Sequence, residues 1–121
     1  MRRQRSSGSV QIISIDRDEL LARLSAIAGQ ICTAHPDVRS VRVFGSIARG
    51  DQVGTSDVDV LIVLHGSEQT SALERIRRFY PYFDLPIGVD VLVYAEGEIA
   101  RRLQAGDAFM TQVWKESWPL C

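Results

Sequence analysis

Three acidic residues stand where acid is costly. Asp57 and Asp59 open the run Asp-Val-Asp-Val-Leu-Ile-Val-Leu (57–64), and Asp90 lies inside Ile-Gly-Val-Asp-Val-Leu-Val-Tyr (87–94). Both runs read as core strands, the first apolar on both faces over most of its length, and an unpaired charge in such surroundings carries a heavy desolvation cost. On a strand, residues i and i+2 point to the same face, so the carboxylates of Asp57 and Asp59 emerge side by side. Three carboxylates on adjacent strands repel one another unless a cation lies among them, and their hard oxygens suit Mg²⁺, or Mn²⁺ in its place. A lone Asp-x-Asp is more often a solvent-facing strand start. Here a second feature lies upstream: Gly45-Ser46, ten residues, then Asp57-Val58-Asp59. Gly45 ends a β-rich run and precedes a helical turn. A glycine there lets backbone approach a ligand closely, and amide N–H groups at a helix start, with the Ser46 hydroxyl, favour an anion such as phosphate.

The elements that must position these residues can be read from periodicity. Residues 1–9 are polar and Gly/Ser-rich, a composition expected to lack fixed structure. Asp16, with Glu19 at capping-box spacing, opens a helix that carries Leu20, Leu21, Leu24, Ile27, Ala28 and Ile31 on one face and ends before Pro36. Val41, Val43 and Phe44 form a short strand. A helical turn over 47–51 and a loop over 52–56 lead into the strand 57–64. Ser67 is placed to cap a helix with Leu73, Ile76 and Phe79 or Tyr80 on its inner face, and Glu74 to pair with Arg78 one turn on. Pro81 and Pro86 bracket a loop before the strand 87–94. Ile99 and Leu103 belong to a further helix, Gly106-Asp107 to a break, and Phe109, Met110, Val113 and Trp114 to a last helix. Residues 118–121 form a terminal strand or a packed tail. Helices alternating with three strands give an α/β domain spanning 10–121.

Composition removes several function classes. A chain of 121 residues, 45% apolar and 24% charged, is one globular domain able to bury a core without staples. A net charge of −1 argues against attachment to nucleic acid by bulk charge. No run reaches the ~18 apolar residues of a membrane span, and Arg2, Arg3 and Arg5 are followed by Ser-Ser-Gly-Ser rather than by a signal-peptide apolar core. One pair of cysteines, Cys32 and Cys121, is not a disulfide framework. Cys32 reads as a small core residue in a reduced, cytoplasmic chain. His35 reads as a helix-end residue and His65 as a strand-end residue without a metal role. Arg75, Arg77 and Arg78, like Arg101 and Arg102, read as solvated helix faces, and Phe79, Tyr80, Tyr82, Phe83, Trp114 and Trp118 as core-edge aromatics.

The run Gly45-Ser46-Ile47-Ala48-Arg49-Gly50-Asp51, followed by Ser56-Asp57-Val58-Asp59, resembles the signature of the DNA polymerase β-like nucleotidyltransferase superfamily. Within it the chain is similar to the minimal nucleotidyltransferases, the MNT-type domains, whose third carboxylate stands in a Val-Asp-Val-Leu-Val strand matched here by Asp90. The resemblance implies a polymerase β palm-like fold, a small mixed β-sheet flanked by helices. It also implies transfer of a nucleoside monophosphate, AMP from ATP, to a hydroxyl acceptor with release of pyrophosphate. Asp57, Asp59 and Asp90 would be the catalytic residues and would hold two Mg²⁺ ions, and Gly45, Ser46, Arg49 and Ser56 would bind the nucleotide. Arg49 has a structural alternative, an ion pair with Asp51 or the strand acids. The resemblance further implies a partner, a HEPN-domain toxin that the MNT protein neutralises as its antitoxin. No contact with membrane and no direct binding of nucleic acid is expected. Two other readings stay open: a binding module that neutralises its partner by complex formation alone, and a small-molecule nucleotidyltransferase of the aminoglycoside-modifying kind.

Overall fold

The computed structural model describes residues 2–7, 10–50, 57–66 and 68–121. Asp51, Ser56 and Ser67, to which the sequence gives an ion-pair, a nucleotide-binding and a capping role, lie outside the described residues. The elements run β1 (Arg2–Ser7), β2 (Val10–Ile15), α1 (Arg17–Ala34), β3 (Val38–Phe44), α2 (Gly45–Arg49), β4 (Val58–Leu64), α3 (Ala72–Phe79), a 3₁₀ turn (Tyr80–Tyr82), β5 (Val89–Ala95), α4 (Glu96–Gln104), α5 (Ala108–Glu116) and β6 (Trp118–Pro119). The main sheet has the order β5-β4-β3-β6. β4 pairs with β5 in parallel and with β3 antiparallel, and β6 closes the other edge antiparallel to β3. This is the small mixed sheet flanked by helices that the motif implies. Residues 2–7, expected to lack fixed structure, pair instead as a strand with Val10–Ile15.

Strand alternation decides the two cores. On β4, Val58, Val60, Ile62 and Leu64 face one side and join Leu20, Leu24, Ala28 and Ile31 of α1, Phe79 of α3 and Val89, Val91 and Val93 of β5 in one buried cluster. Leu61 and Val63 face the other side and pack with Phe44, Ile99 of α4, and Met110 and Val113 of α5. By the same alternation Asp59 shares the α4–α5 face with Leu61 and Val63, and Asp90 shares it with Leu92 and Tyr94 of β5. The central strand is therefore apolar on both faces except at its first turn, where the acids stand.

Several local expectations shift. Helix α1 ends before Pro36, as the proline requires, and His35 leaves helical geometry at φ −125° and ψ 93°. Asp16 occupies its N-cap without a side-chain capping bond. The cap of α3 is Ser71, whose hydroxyl accepts from the Glu74 N–H at 3.2 Å, so the helix starts later than Ser67 would place it. Arg78 does not pair with Glu74; it makes a two-pronged bond to Asp37, at 2.8 and 2.6 Å, and donates to His35 Nδ1, whose Nε2–H is then left to donate to Tyr82 Oη. Arg75 is 5% exposed rather than solvated. It donates to Glu98 Oε1 at 2.6 Å and to Thr70 at 3.0 Å. Burial alone would raise the Glu98 carboxyl, but the bonds from Arg75 and the Ala95 N–H hold it below its ordinary value. Trp114 is 36% exposed, with the Arg42 guanidinium 4.5 Å from its ring centre, and Trp118 packs against the larger core.

The cysteines are bonded to each other, contrary to the free thiols expected. Cys32 of α1 and Cys121 lie 6.7 Å apart at Cα and form a disulfide. Their separation of 89 residues hid the proximity: β6 pairs with β3, Leu120 N–H donates to the Val41 carbonyl at 2.7 Å, and the tail is thereby laid against α1. A cross-link closing so long a loop is worth about 2–4 kcal/mol. The Cys32→Ala chain is accordingly expected to melt well below the parent, and reduction of the parent with dithiothreitol to lower its Tm toward the same value; equal melting points with and without reductant would mean that the bridge contributes nothing. Among the described residues no helix is long and apolar enough to cross a membrane.

Candidate active site

Phe44, Asp59 and Asp90 are register partners across β3, β4 and β5, one row at the end of the sheet. The chain leaves β3 at Phe44 and turns at once into α2, so Gly45 and Ser46 begin where the row ends. Gly45 has φ +71°, a left-handed conformation open to glycine. A Cβ at this position would overlap Asp59 Oδ2, so the glycine lets the β3–α2 corner lie directly on the Asp59 carboxylate. Asp57 precedes β4 and rests against Gly88, where an added Cβ would stand 2.5 Å from Asp57 Oδ1. The Val58 N–H donates to the Gly88 carbonyl at 2.9 Å, which fixes this second corner beside the first.

Helix α2 is short and is held from outside. Arg17 donates through Nε and Nη2 to the Ile47 carbonyl at 3.1 and 3.0 Å, and Trp118 Nε1 donates to the Ala48 carbonyl at 3.3 Å. Both satisfy carbonyls that the last turn leaves open. At the other end the Gly45 N–H donates to Glu116 Oε1 at 2.9 Å, and Arg49 Nη1 donates to Glu116 Oε2 at 3.0 Å. The ion pair of Arg49 is therefore with the last residue of α5.

Phe44, Gly45, Ser46, Arg49 and Asp59 line a cleft of ≈ 400 Å³ whose other wall is one stripe of α5: Phe109, Gln112, Val113 and Glu116. Of the residues singled out from sequence, the structure thus brings Gly45, Ser46, Arg49 and Asp59 into one cavity. Asp57 and Asp90 are exposed and act on Asp59 through their charge. Burial, then Asp90, Asp57 and Glu116, push the Asp59 carboxyl above its ordinary value, while Arg49 opposes them. Glu116 carries the reverse balance. Burial would raise it, but the bonds from Gln112, the Gly45 N–H and Arg49 hold it below. Sequence pattern does not single out Glu116, since it stands in the last turn of an amphipathic helix 71 residues from Gly45. His65 takes no part; it is exposed and bonds Glu96 at 2.5 Å.

The donors suit a hard divalent cation. Among the described residues no group of three or more His, Cys, Asp or Glu side chains is gathered closely enough to hold a metal ion. The Asp59 carboxyl nevertheless bears the repulsion of three other carboxylates against one opposing guanidinium, the imbalance that a bound cation relieves. On the other side of Asp59, Gly45, Ser46 and Arg49 line the same cleft.

The nucleotidyltransferase domain family matches residues 24–116 of the chain. Among solved structures, a protein from Sulfolobus solfataricus provisionally assigned to the nucleotidyltransferases is 30% identical, with 70% of this chain and 75% of that one covered and a TM-score of 0.61. A toxin–antitoxin complex crystallised with AMP-PNP is 15% identical, with 88% and 73% covered and a TM-score of 0.47. No curated protein sequence matches the chain. With the family match running from within α1 to the end of α5, and the Gly-Ser corner seated against the Asp59 row, the chain belongs to the nucleotidyltransferase domain family.

Proposed function

We propose that this protein transfers a nucleoside monophosphate, AMP from ATP, to a hydroxyl of a partner protein and releases pyrophosphate. The observation that carries the reading is the contact of Gly45 with the Asp59 carboxylate in the row that also holds Asp90. It supports a reading in which the corner that would seat a phosphate lies directly against the acids. Gly45 and Ser46 bind the β- and γ-phosphates that leave, and Arg49 adds a charge-assisted contact. Asp57, Asp59 and Asp90 would hold Mg²⁺. Bound there, the metal would supply charge neutralisation for displacement at the α-phosphate. Asp90, exposed at the row's edge, accepts the proton of the attacking hydroxyl. The protein's own contribution is position: the corners at Gly45 and Gly88 fix the phosphate seat and the Asp57 carboxyl relative to Asp59. Ser56 completes the motif as a nucleotide contact.

The acceptor is proposed from the likeness of the motif to MNT-type antitoxins: a HEPN-type toxin, modified on a side-chain hydroxyl. The cleft and its surroundings are used by the nucleotide and acids, which leaves the acceptor to come from another chain. The supply of ATP favours a cytoplasmic setting, and the Cys32–Cys121 bridge counts against it, since disulfides persist in oxidising compartments. The test is to incubate the purified protein, Mg²⁺ and α-labelled ATP with extract of its own cells and identify what becomes labelled. A labelled HEPN-type protein is the expected result; a labelled small molecule would make it a small-molecule transferase, and no label in any fraction would reject transfer. In the same assay Ser46→Ala is expected to raise KM for ATP about tenfold, the loss of one hydroxyl–phosphate bond, with kcat less affected. An unchanged KM would remove Ser46 from the phosphate seat.

A further inference from the structure

Glu116 is bonded to the donors that the Gly-Ser corner offers an anion. Its two carboxylate oxygens take the Gly45 N–H at 2.9 Å and Arg49 Nη1 at 3.0 Å, and Gln112 Nε2, one turn back on α5, secures it at 3.0 Å. The side chain is 12% exposed and lies in the wall of the same cleft. We propose that Glu116 is a built-in competitor for the phosphate seat, and that a nucleotide enters by displacing its carboxylate from Gly45 and Arg49. The proposal rests on the reading of Gly45 and Ser46 as the phosphate seat.

Three physical points support it. A single N–H donates one strong bond, so Gly45 serves Glu116 or a phosphate oxygen, not both. A carboxylate and a polyphosphate at one seat repel each other strongly in a half-buried cleft. Glu116 also ends its helix, since Ser117 is already extended at φ −77° and ψ 152°, so the side chain can swing toward solvent without disturbing α5. Such a competitor makes the seat selective. A single weakly held anion gains too little to displace three hydrogen bonds, whereas a triphosphate with several contacts gains enough. Arg49 is then kept folded over the seat by Glu116 until the polyphosphate takes it over.

The test is calorimetric titration of inorganic tripolyphosphate, and of ATP with Mg²⁺, into the parent protein, Glu116→Gln and Gln112→Ala. Glu116→Gln keeps the shape and removes the charge; Gln112→Ala loosens the carboxylate and leaves Gly45 and Arg49 untouched. Both are expected to bind tripolyphosphate more tightly than the parent, Glu116→Gln by about tenfold, the scale of one charge-assisted bond no longer competing. A residue that merely positions Arg49 would give weaker binding when altered. Unchanged or weaker tripolyphosphate binding in both variants, at parental melting temperature, overturns the proposal. If tripolyphosphate binding tightens while ATP binds none of the three proteins, the competitor stands and the nucleotide reading fails. If ATP binds all three equally, the nucleotide reading stands and the competitor fails. Absence of binding by either ligand to any of the three counts against both.

Discussion

Asp59→Asn is expected to reduce nucleotidyl transfer by about 10²–10³-fold or more, the scale of losing one support for transition-state charge, here through the Mg²⁺ that the carboxylate would hold, while raising the melting temperature. The two effects have one origin. In the folded chain the Asp59 carboxyl lies above its ordinary value because of burial, then the charges of Asp90, Asp57 and Glu116. A carboxyl raised on folding binds its proton more tightly in the folded state. It therefore favours folding while pH is below the ordinary carboxylate range, and that gain is lost as pH rises through the folded value. At neutral pH the ionised group is a cost, which an asparagine of the same shape removes. Asp57→Asn is expected to lose transfer to the same extent with little change in melting, since Asp57 is exposed. Label transfer from ATP and thermal melting of the same preparations check both halves. Parental activity in both variants would remove the acids from the chemistry, and a lowered melting point for Asp59→Asn would mean that the carboxylate is a structural partner.

The parts of this site that could be read from sequence are those fixed by local pattern. The run 57–64 announces a strand buried on both faces, and alternation alone puts Asp57 and Asp59 on one of them. The structure adds that this is the face toward α4 and α5, where Leu61 and Val63 pack with Met110 and Val113. Gly45-Ser46 and the spacing to the acids are equally local. Glu116, Arg75 and the Cys32–Cys121 bridge were not legible, for a common reason. Each depends on a partner distant in sequence: 71 residues for Glu116 and Gly45, 23 for Arg75 and Glu98, 89 for the cysteines. A charge with a carboxylate at 2.6 Å can be buried and one without it cannot, and periodicity does not say which case holds. The cap at Ser71 rather than Ser67 is a smaller instance. Several serines near a helix start are locally equivalent as caps, and the packing of Phe79 and Arg75 selects the turn at which the helix begins.

Gly45→Ala is the substitution expected to damage both fold and function. The backbone at φ +71° costs an L-residue about 1–2 kcal/mol. The added methyl also falls on Asp59 Oδ2, and here the overlap is not relieved cheaply, because Asp59 is half-buried between β3 and β5. Either the carboxyl rotates away from its row or the β3–α2 corner lifts and carries the Gly45 N–H away from Glu116. Both routes separate the proposed phosphate seat from the acids, so transfer is expected to fall as far as in Asp59→Asn, but with a lower melting temperature instead of a higher one. Gly88→Ala isolates the second effect from the first. Gly88 is not in the left-handed region, and its added Cβ meets only the end of the exposed Asp57 side chain, 2.5 Å from Oδ1. That variant should melt close to the parent and still lose much of its transfer, because Asp57 is pushed off its position. Parental transfer in Gly88→Ala would show that the placement of Asp57 is not critical. Parental transfer in Gly45→Ala, with only the melting point lowered, would show that the close approach of the glycine to Asp59 serves the turn alone, and the proposed seating of phosphate against the acids would fail with it.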